Sequence, residues 1–122
     1  MLVENEKVKK VHLMGFVHQT LAGENQGLKT MEIWLITLPP GSETPADQHY
    51  GEVVGMTLKG TGRAIVAGDS IDLVPDTTQV IPAQATRQVV NTGEEDLVIL
   101  VIRSLVPPPE KKTMLEILES QR

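Results

Sequence analysis

Short runs of alternating apolar and polar residues recur along the chain, and each run is bounded by Gly, Pro, Asn or Asp. Runs of this kind predict β-strands joined by turns, and their close spacing is typical of an all-β sandwich or barrel. Two hairpin turns are predicted, at residues 68–69 and 91–93. The predicted strand segments are residues 10–18, 30–38, 47–58, 63–67, 70–74, 79–83, 86–90 and 97–105.

The β-region is predicted to end at the proline-rich stretch 106–110, because proline cannot donate a hydrogen bond to a strand ladder. A short helix is predicted at about residues 111–120. Thr113 and Glu116 have the spacing of a capping box, and an apolar stripe follows, consisting of Met114, Leu115, Ile117 and Leu118. We interpret residues 1–122 as one domain, with a barrel over about residues 8–106.

Composition and charge argue against two classes of partner. The formal net charge is −5, whereas binding to a phosphate backbone requires a clustered excess of Lys and Arg. Aromatic residues make up only 2% of the chain, too few for a platform that stacks bases. We also find no apolar run near the ~18 residues that a membrane span needs. We therefore expect neither nucleic acid nor a membrane as a partner.

The chain contains no cysteine, which excludes disulfides, thiolate nucleophiles and cysteine-ligated zinc. Its first residues, MLVENEKVKK, lack the apolar run of a signal peptide. A cytoplasmic protein is the expectation from these features.

Two stretches resemble the paired motifs of the cupin family. They are "PPGSETPADQHYGEVVGMTLKGTG", residues 39–62, and "DTTQVIPAQATRQVVNTGEEDLVIL", residues 76–100. The resemblance implies a small cupin, a double-stranded β-helix with a jelly-roll-like barrel, followed here by the short C-terminal helix. It also implies that four positions of the family's metal site fall on Asp47, His49, Val53 and Arg87 of this chain.

Only two of these four residues can hold a metal. Asp47 and His49 offer an oxygen and a nitrogen, whereas Val53 has no donor atom and Arg87 is a permanent cation without a lone pair. A catalytic metal in such a barrel needs three or four ligands. We therefore expect no metal cofactor. The alternative is a divalent metal held by Asp47, His49 and a further ligand.

The alternation of the strand 47–58 predicts that Val53 and Thr57 face the barrel interior, and the resemblance implies the same for Arg87 and Asn91. These four residues are the predicted ligand-binding set. A guanidinium pairs well with a carboxylate or a phosphate, so the predicted ligand is a small anion.

Several functions remain open for this cavity. His49 oriented by Asp47 is a candidate catalytic pair for metal-independent acid–base chemistry, of isomerase or cyclase type. One alternative is a non-catalytic ligand-binding or interaction module, and a second is a metal-dependent cupin resembling dioxygenases. In a purely structural interpretation, His49 is a hydrogen-bonded interior residue, and Asp47 and Arg87 form a buried ion pair.

A homodimer is also predicted. If Val53 and Thr57 face inward, then Val54, Met56 and Leu58 form an outward apolar stripe, which one short helix cannot fully cover. Monomers rarely expose apolar patches of that extent, and a twofold pair is the commonest closed assembly.

Overall fold

The computed structural model describes residues 1–109 and 114–121 of the chain. The described part is built from antiparallel strands and one short α-helix, so the predicted all-β architecture is confirmed. The strands are β1 (Val11–Leu13), β2 (Phe16–Ala22), β3 (Met31–Leu38), β4 (Asp47–Gln48), β5 (Val53–Lys59), β6 (Gly62–Val66), β7 (Asp69–Leu73), β8 (Thr77–Ile81), β9 (Thr86–Asn91) and β10 (Leu97–Ser104); the helix is α1 (Met114–Ser120).

The strands form two facing sheets. One has six strands in the order β1-β2-β3-β10-β5-β8, and the other has four in the order β4-β9-β6-β7. Several consecutive strands, such as β9 and β10, lie in different sheets, so the chain passes repeatedly from one sheet to the other. This winding closes the two sheets into the expected double-stranded β-helix.

The core lies between the sheets, and on β6 and the first parts of β5 and β10 every second residue is buried. Leu38, Ile81, Leu97, Val89 and Val101 are the largest fully buried side chains in the described residues. On β5 the burial alternates as predicted. Its inward residues, Val53, Gly55 and Thr57, are buried, and its outward residues, Val54, Met56 and Leu58, are partly or fully exposed.

Residues 47–58 do not form the single strand that the alternation predicts. β4 belongs to the four-stranded sheet and β5 to the six-stranded sheet, and residues 49–52 cross between them. Gly51 approaches the carbonyl oxygen of Ser104 so closely that a Cβ atom would collide with it. The crossing breaks the period of two, because a chain that changes sheets cannot keep one pleat throughout.

The turns also differ from prediction in detail. The first predicted strand is a hairpin, because Met14 and Gly15 adopt positive φ angles of 47° and 91° and connect β1 to β2. The hairpin between β6 and β7 turns at Ala67 and Gly68, one residue earlier than predicted. Residues 91–93 lead from one sheet to the other, so they do not form a hairpin.

The C-terminal helix is described from Met114 to Ser120. The predicted residues 111–113, including the capping residue Thr113, lie outside the described residues. Every residue of the described helix is exposed, including its apolar side chains Met114, Leu115, Ile117 and Leu118. The helix therefore does not bury its apolar stripe against the described part of its own chain. Among the described residues, no helix has the length and apolar character needed to cross a membrane.

Candidate functional site

A cavity of about 280 Å³ lies between the two sheets. Its walls are mainly apolar, with residues from both sheets and from the segment that precedes β4. The ionisable side chains in its lining are His18, Asp47, His49, Arg87 and Arg103. An apolar cavity with a few polar groups has the general make-up of a small-molecule site.

Arg87 extends across the cavity from one sheet to the other. It starts on β9 of the four-stranded sheet, and its Nη2 atom reaches Gly55 of the facing sheet. A Cβ atom placed on Gly55 would lie 3.0 Å from that nitrogen, so the glycine leaves room for the guanidinium. The Nε atom of Arg87 is buried and has no hydrogen-bond partner. Within the described residues, the side chain of Arg87 forms no hydrogen bond and no ion pair within 4.0 Å.

Burial lowers the pKa of Arg87 to about 10; the charge of Asp47 acts against this shift, and that of Arg103 acts in the same direction. A group with a pKa near 10 is still a cation at neutral pH. The cavity therefore contains a positive charge that is poorly solvated and lacks an acceptor, which is unfavourable unless an anion completes it.

Asp47 does not supply that anion. Its Cα is paired directly with that of Arg87 in the β4–β9 ladder, but its side chain is exposed, and Oδ1 accepts a hydrogen bond of 2.8 Å from the backbone N–H of Gln48. The buried ion pair of the structural interpretation is thus not formed. Asp47 acts on Arg87 only at longer range, as a charge at the edge of the cavity.

His49 has both ring nitrogens engaged, and Asp47 is not a partner of either. Nε2 lies 2.6 Å from the carbonyl oxygen of Ser104, and Nδ1 lies 2.6 Å from Nη2 of Arg103. A carbonyl oxygen only accepts and a guanidinium only donates, so Nε2 carries the proton and Nδ1 accepts. The predicted His49–Asp47 catalytic pair is therefore not formed, and the hydrogen-bonded interior histidine of the structural interpretation is observed.

Arg103 is a cavity residue that the sequence analysis missed. Besides His49, it donates through Nη1 to Oε1 of Glu32 at 2.8 Å, and its guanidinium lies 4.0 Å from the centre of the Trp34 ring. Stacking on an aromatic face and a carboxylate partner together fix the guanidinium. A signal was present in the sequence: Arg103 follows Leu97, Ile99 and Val101 on the inward face of β10, where a charge is unexpected.

His18 is a second cavity residue that had no assigned role. Its ring meets the edge of Trp34, with 4.6 Å between ring centres, and it has no hydrogen bond within the described residues. Burial lowers the pKa of His18; Glu32 raises it and Arg103 lowers it further. The lowered pKa favours a neutral imidazole at pH 7.

Two of the four residues in the predicted ligand-binding set, Thr57 and Asn91, are not in the cavity wall. Val53 lines the cavity, as do Asp47, His49 and Arg87, but Thr57 and Asn91 do not. Asn91 is buried and holds a turn: its Nδ2 donates to the carbonyl oxygens of Leu38 and Glu95, and its Oδ1 accepts from the N–H of Gly93.

The donor set does not fit the metal centre of related barrels. In the described residues, no three His, Asp or Glu side chains come together as a metal would require. Both nitrogens of His49 are engaged, and Val53 and Arg87 cannot ligate. Taken together, the four residues that the resemblance places at the metal positions do not supply the three ligands that such a centre needs.

The fold and its central cavity define a cupin barrel, and solved structures agree. The chain superposes on an RmlC-like cupin from Shewanella frigidimarina with a TM-score of 0.72 and 17% identity, covering 88% of this chain and 90% of that one. It superposes on the polyketide cyclase RemF from Streptomyces resistomycificus with a TM-score of 0.76 and 19% identity, covering 100% and 93% of the two chains. At these identities the likeness shows the fold alone.

Residues 5–117 match the family described as auxin binding protein, and the chain belongs to that family. It is 43% identical over 103 residues to auxin-binding protein 1 of Arabidopsis thaliana, a match that covers 76% of this chain. It is 38% identical over 114 residues to auxin-binding protein T85 of Nicotiana tabacum, covering 84% of this chain. The chain spans 52% and 60% of the lengths of these two relatives.

Proposed function

We propose that the barrel binds a small organic anion through Arg87. The observation that carries the proposal is the guanidinium of Arg87, which lies in the cavity with a buried Nε and no partner in the described residues. Arg103 lines the same cavity, but Glu32 already neutralises it. The ligand's acidic group is thus expected at Arg87, with its apolar part against the cavity wall.

A carboxylate fits this cavity better than a phosphate. A single unpaired guanidinium balances a monoanion, whereas a phosphate dianion would leave one charge without a partner in a poorly solvated space. Two relatives are named auxin-binding proteins, so an auxin is one candidate ligand for this chain as well. We propose an aromatic or other apolar carboxylate as the ligand class.

We further propose that binding needs no metal, because Arg87 stands where the metal-binding cupins supply a ligand. The test is to measure the metal content and the anion binding of the purified protein, each before and after treatment with a chelator. Stoichiometric metal whose removal abolishes anion binding would contradict the proposal.

The direct test is a thermal-shift titration with acetate, phenylacetate, indole-3-acetate and inorganic phosphate. A ligand that binds only the folded protein raises its stability by RT ln(1 + [L]/Kd), so binding appears as a concentration-dependent rise in Tm. We expect phenylacetate or indole-3-acetate to raise Tm, and Arg87→Met to abolish the rise. Arg63→Met is the matched control, because Arg63 is an exposed arginine on β6 that pairs with Asp72. An equal shift in Arg87→Met would contradict the proposal.

Proton-transfer chemistry on the bound acid is a second candidate, and one observation favours it. His18 lines the cavity without a hydrogen bond in the described residues, and its lowered pKa leaves a neutral base at pH 7. In D₂O, such chemistry would replace the hydrogen atoms on the carbon next to the carboxylate of phenylacetate with deuterium. NMR detects this exchange, and His18→Phe should stop it. If the wild type shows no exchange, the proposed function is ligand binding without proton-transfer chemistry.

We also propose that two copies of the chain pair through the outer face of the six-stranded sheet. Apolar side chains of three adjacent strands form this face: Met31, Ile33, Leu35, Val54, Met56, Leu58, Leu100 and Ile102. The described part of the helix leaves them uncovered.

A further inference from the structure

Gln79 is a buried polar residue that the proposed binding site does not yet use. It lies on β8, paired with Gly55 of β5, and its Nε2 atom is buried without a hydrogen-bond partner. The adjacent inward pair in the same ladder, Val53 and Ile81, lines the cavity. Gln79 therefore lies directly beneath the cavity floor.

Gln79 and Arg87 meet at Gly55 from opposite sheets. A Cβ atom placed on Gly55 would lie 3.0 Å from Nη2 of Arg87 and 3.3 Å from Oε1 of Gln79. The amide oxygen can only accept and the guanidinium can only donate, so the two groups face each other with complementary polarity. Within the described residues, no hydrogen bond joins these two groups.

Packing alone does not account for an amide at this position. Leucine or methionine would fill a similar volume without a buried, unsatisfied N–H group, which is costly to keep away from water. The identity of the polar group also matters for Arg87. A carboxylate here would neutralise the guanidinium from within the protein, whereas a neutral amide leaves its charge available.

We propose that Gln79 is the positioning residue that selects for an external anion: its neutral amide places an acceptor beside the Arg87 guanidinium without neutralising its charge. The inference rests on the proposed function, because it assigns to Gln79 the reason that Arg87 is free to bind a carboxylate.

The decisive variant is Gln79→Glu. The introduced carboxylate takes the place of the ligand, so the ligand-free Tm should rise and the phenylacetate affinity should fall by at least tenfold. The rise must depend on Arg87: it should be absent when Gln79→Glu is combined with Arg87→Met. It should also vanish as the pH falls below about 4, since a paired carboxylate has its folded pKa depressed. Thr78→Glu, an exposed change on the same strand, controls for added charge.

Gln79→Met provides a second readout that does not depend on the first variant folding. This change keeps the length of the side chain at position 79 and leaves the charge of Arg87 unaltered, but it removes the amide oxygen. We expect phenylacetate to bind several-fold more weakly, with no loss of ligand-free stability.

The outcomes separate this inference from the proposed function. Unchanged phenylacetate affinity in Gln79→Met, or a Gln79→Glu protein without Arg87-dependent stabilisation, would overturn the role of Gln79. If the wild type bound none of the acids while the Arg87-dependent stabilisation of Gln79→Glu was present, the proposed ligand would be wrong and the charge-setting role of Gln79 would stand.

Discussion

At the scale of single residues, the cavity contains two arginines in opposite situations. Arg103 has a carboxylate, an imidazole and an aromatic face as partners, whereas Arg87 has none of these within the described residues. The difference supports a structural role for Arg103 and the proposed binding role for Arg87, because a buried donor without an acceptor is unfavourable until a ligand supplies one.

Arg87→Met should therefore stabilise the ligand-free protein. Methionine removes an unpaired cation and its buried N–H while filling similar space, and we expect a gain of about 1 kcal/mol in the free energy of unfolding. Urea denaturation at pH 7 measures it. If the free energy of unfolding instead fell by a similar amount, Arg87 would have a stabilising partner in the protein without ligand.

His18 should make stability depend on pH. Its folded pKa lies below the ordinary value of 6.5, so below about pH 6.5 the unfolded state binds the proton more readily and stability falls. The urea midpoint should therefore drop between pH 7.5 and pH 5.5, and the drop should shrink in His18→Phe, which keeps a ring against Trp34. His12→Phe, on the exposed strand β1, is the control and should leave the drop unchanged.

At the scale of elements, Asn91 ties together the end of β3 and the turn between β9 and β10. Its side chain forms hydrogen bonds with two carbonyl oxygens and one backbone N–H. Asn91→Ala would remove all three of these bonds. We expect the free energy of unfolding to fall by about 2–4 kcal/mol, because each buried unsatisfied group costs about 1–3 kcal/mol and the site can partly relax.

The same variant separates the two roles that Asn91 could have. In the folded Asn91→Ala protein, phenylacetate affinity should match that of the wild type, because Asn91 is outside the cavity wall. A large loss of affinity with little loss of stability would instead support the ligand-binding role that the resemblance implies.

At the scale of the whole molecule, the outer face of the six-stranded sheet is the surface through which we propose that two copies of the chain pair. Leu100 is at its centre, paired with Leu35 on one side and Met56 on the other. Light scattering at micromolar concentration should give about twice the chain mass of 13.3 kDa, and Leu100→Glu should give a monomer, because it places a charge in the interface. A wild-type mass near 13.3 kDa would mean that the chain covers this face by itself.

The barrel and its inside–outside pattern could be predicted from the sequence. Turn residues between short alternating runs are local signals, and so is the alternation of Val53, Val54, Gly55 and Met56, because the pleat of a strand sends neighbouring side chains to opposite faces. The spacing of the two cupin-like stretches placed Arg87 inside the barrel, and the structure finds it in the cavity lining.

The partners inside the barrel were decided only by the tertiary structure. His49 and Arg103 are 54 residues apart in the chain, and Arg103 and Glu32 are 71 apart, so their contacts depend on which strands become neighbours. The crossing of residues 49–52 between sheets likewise places His49 outside the strand that contains Asp47, so the predicted pair is not formed. Local patterns determine which way a side chain points, whereas the packing of the two sheets determines what it meets there.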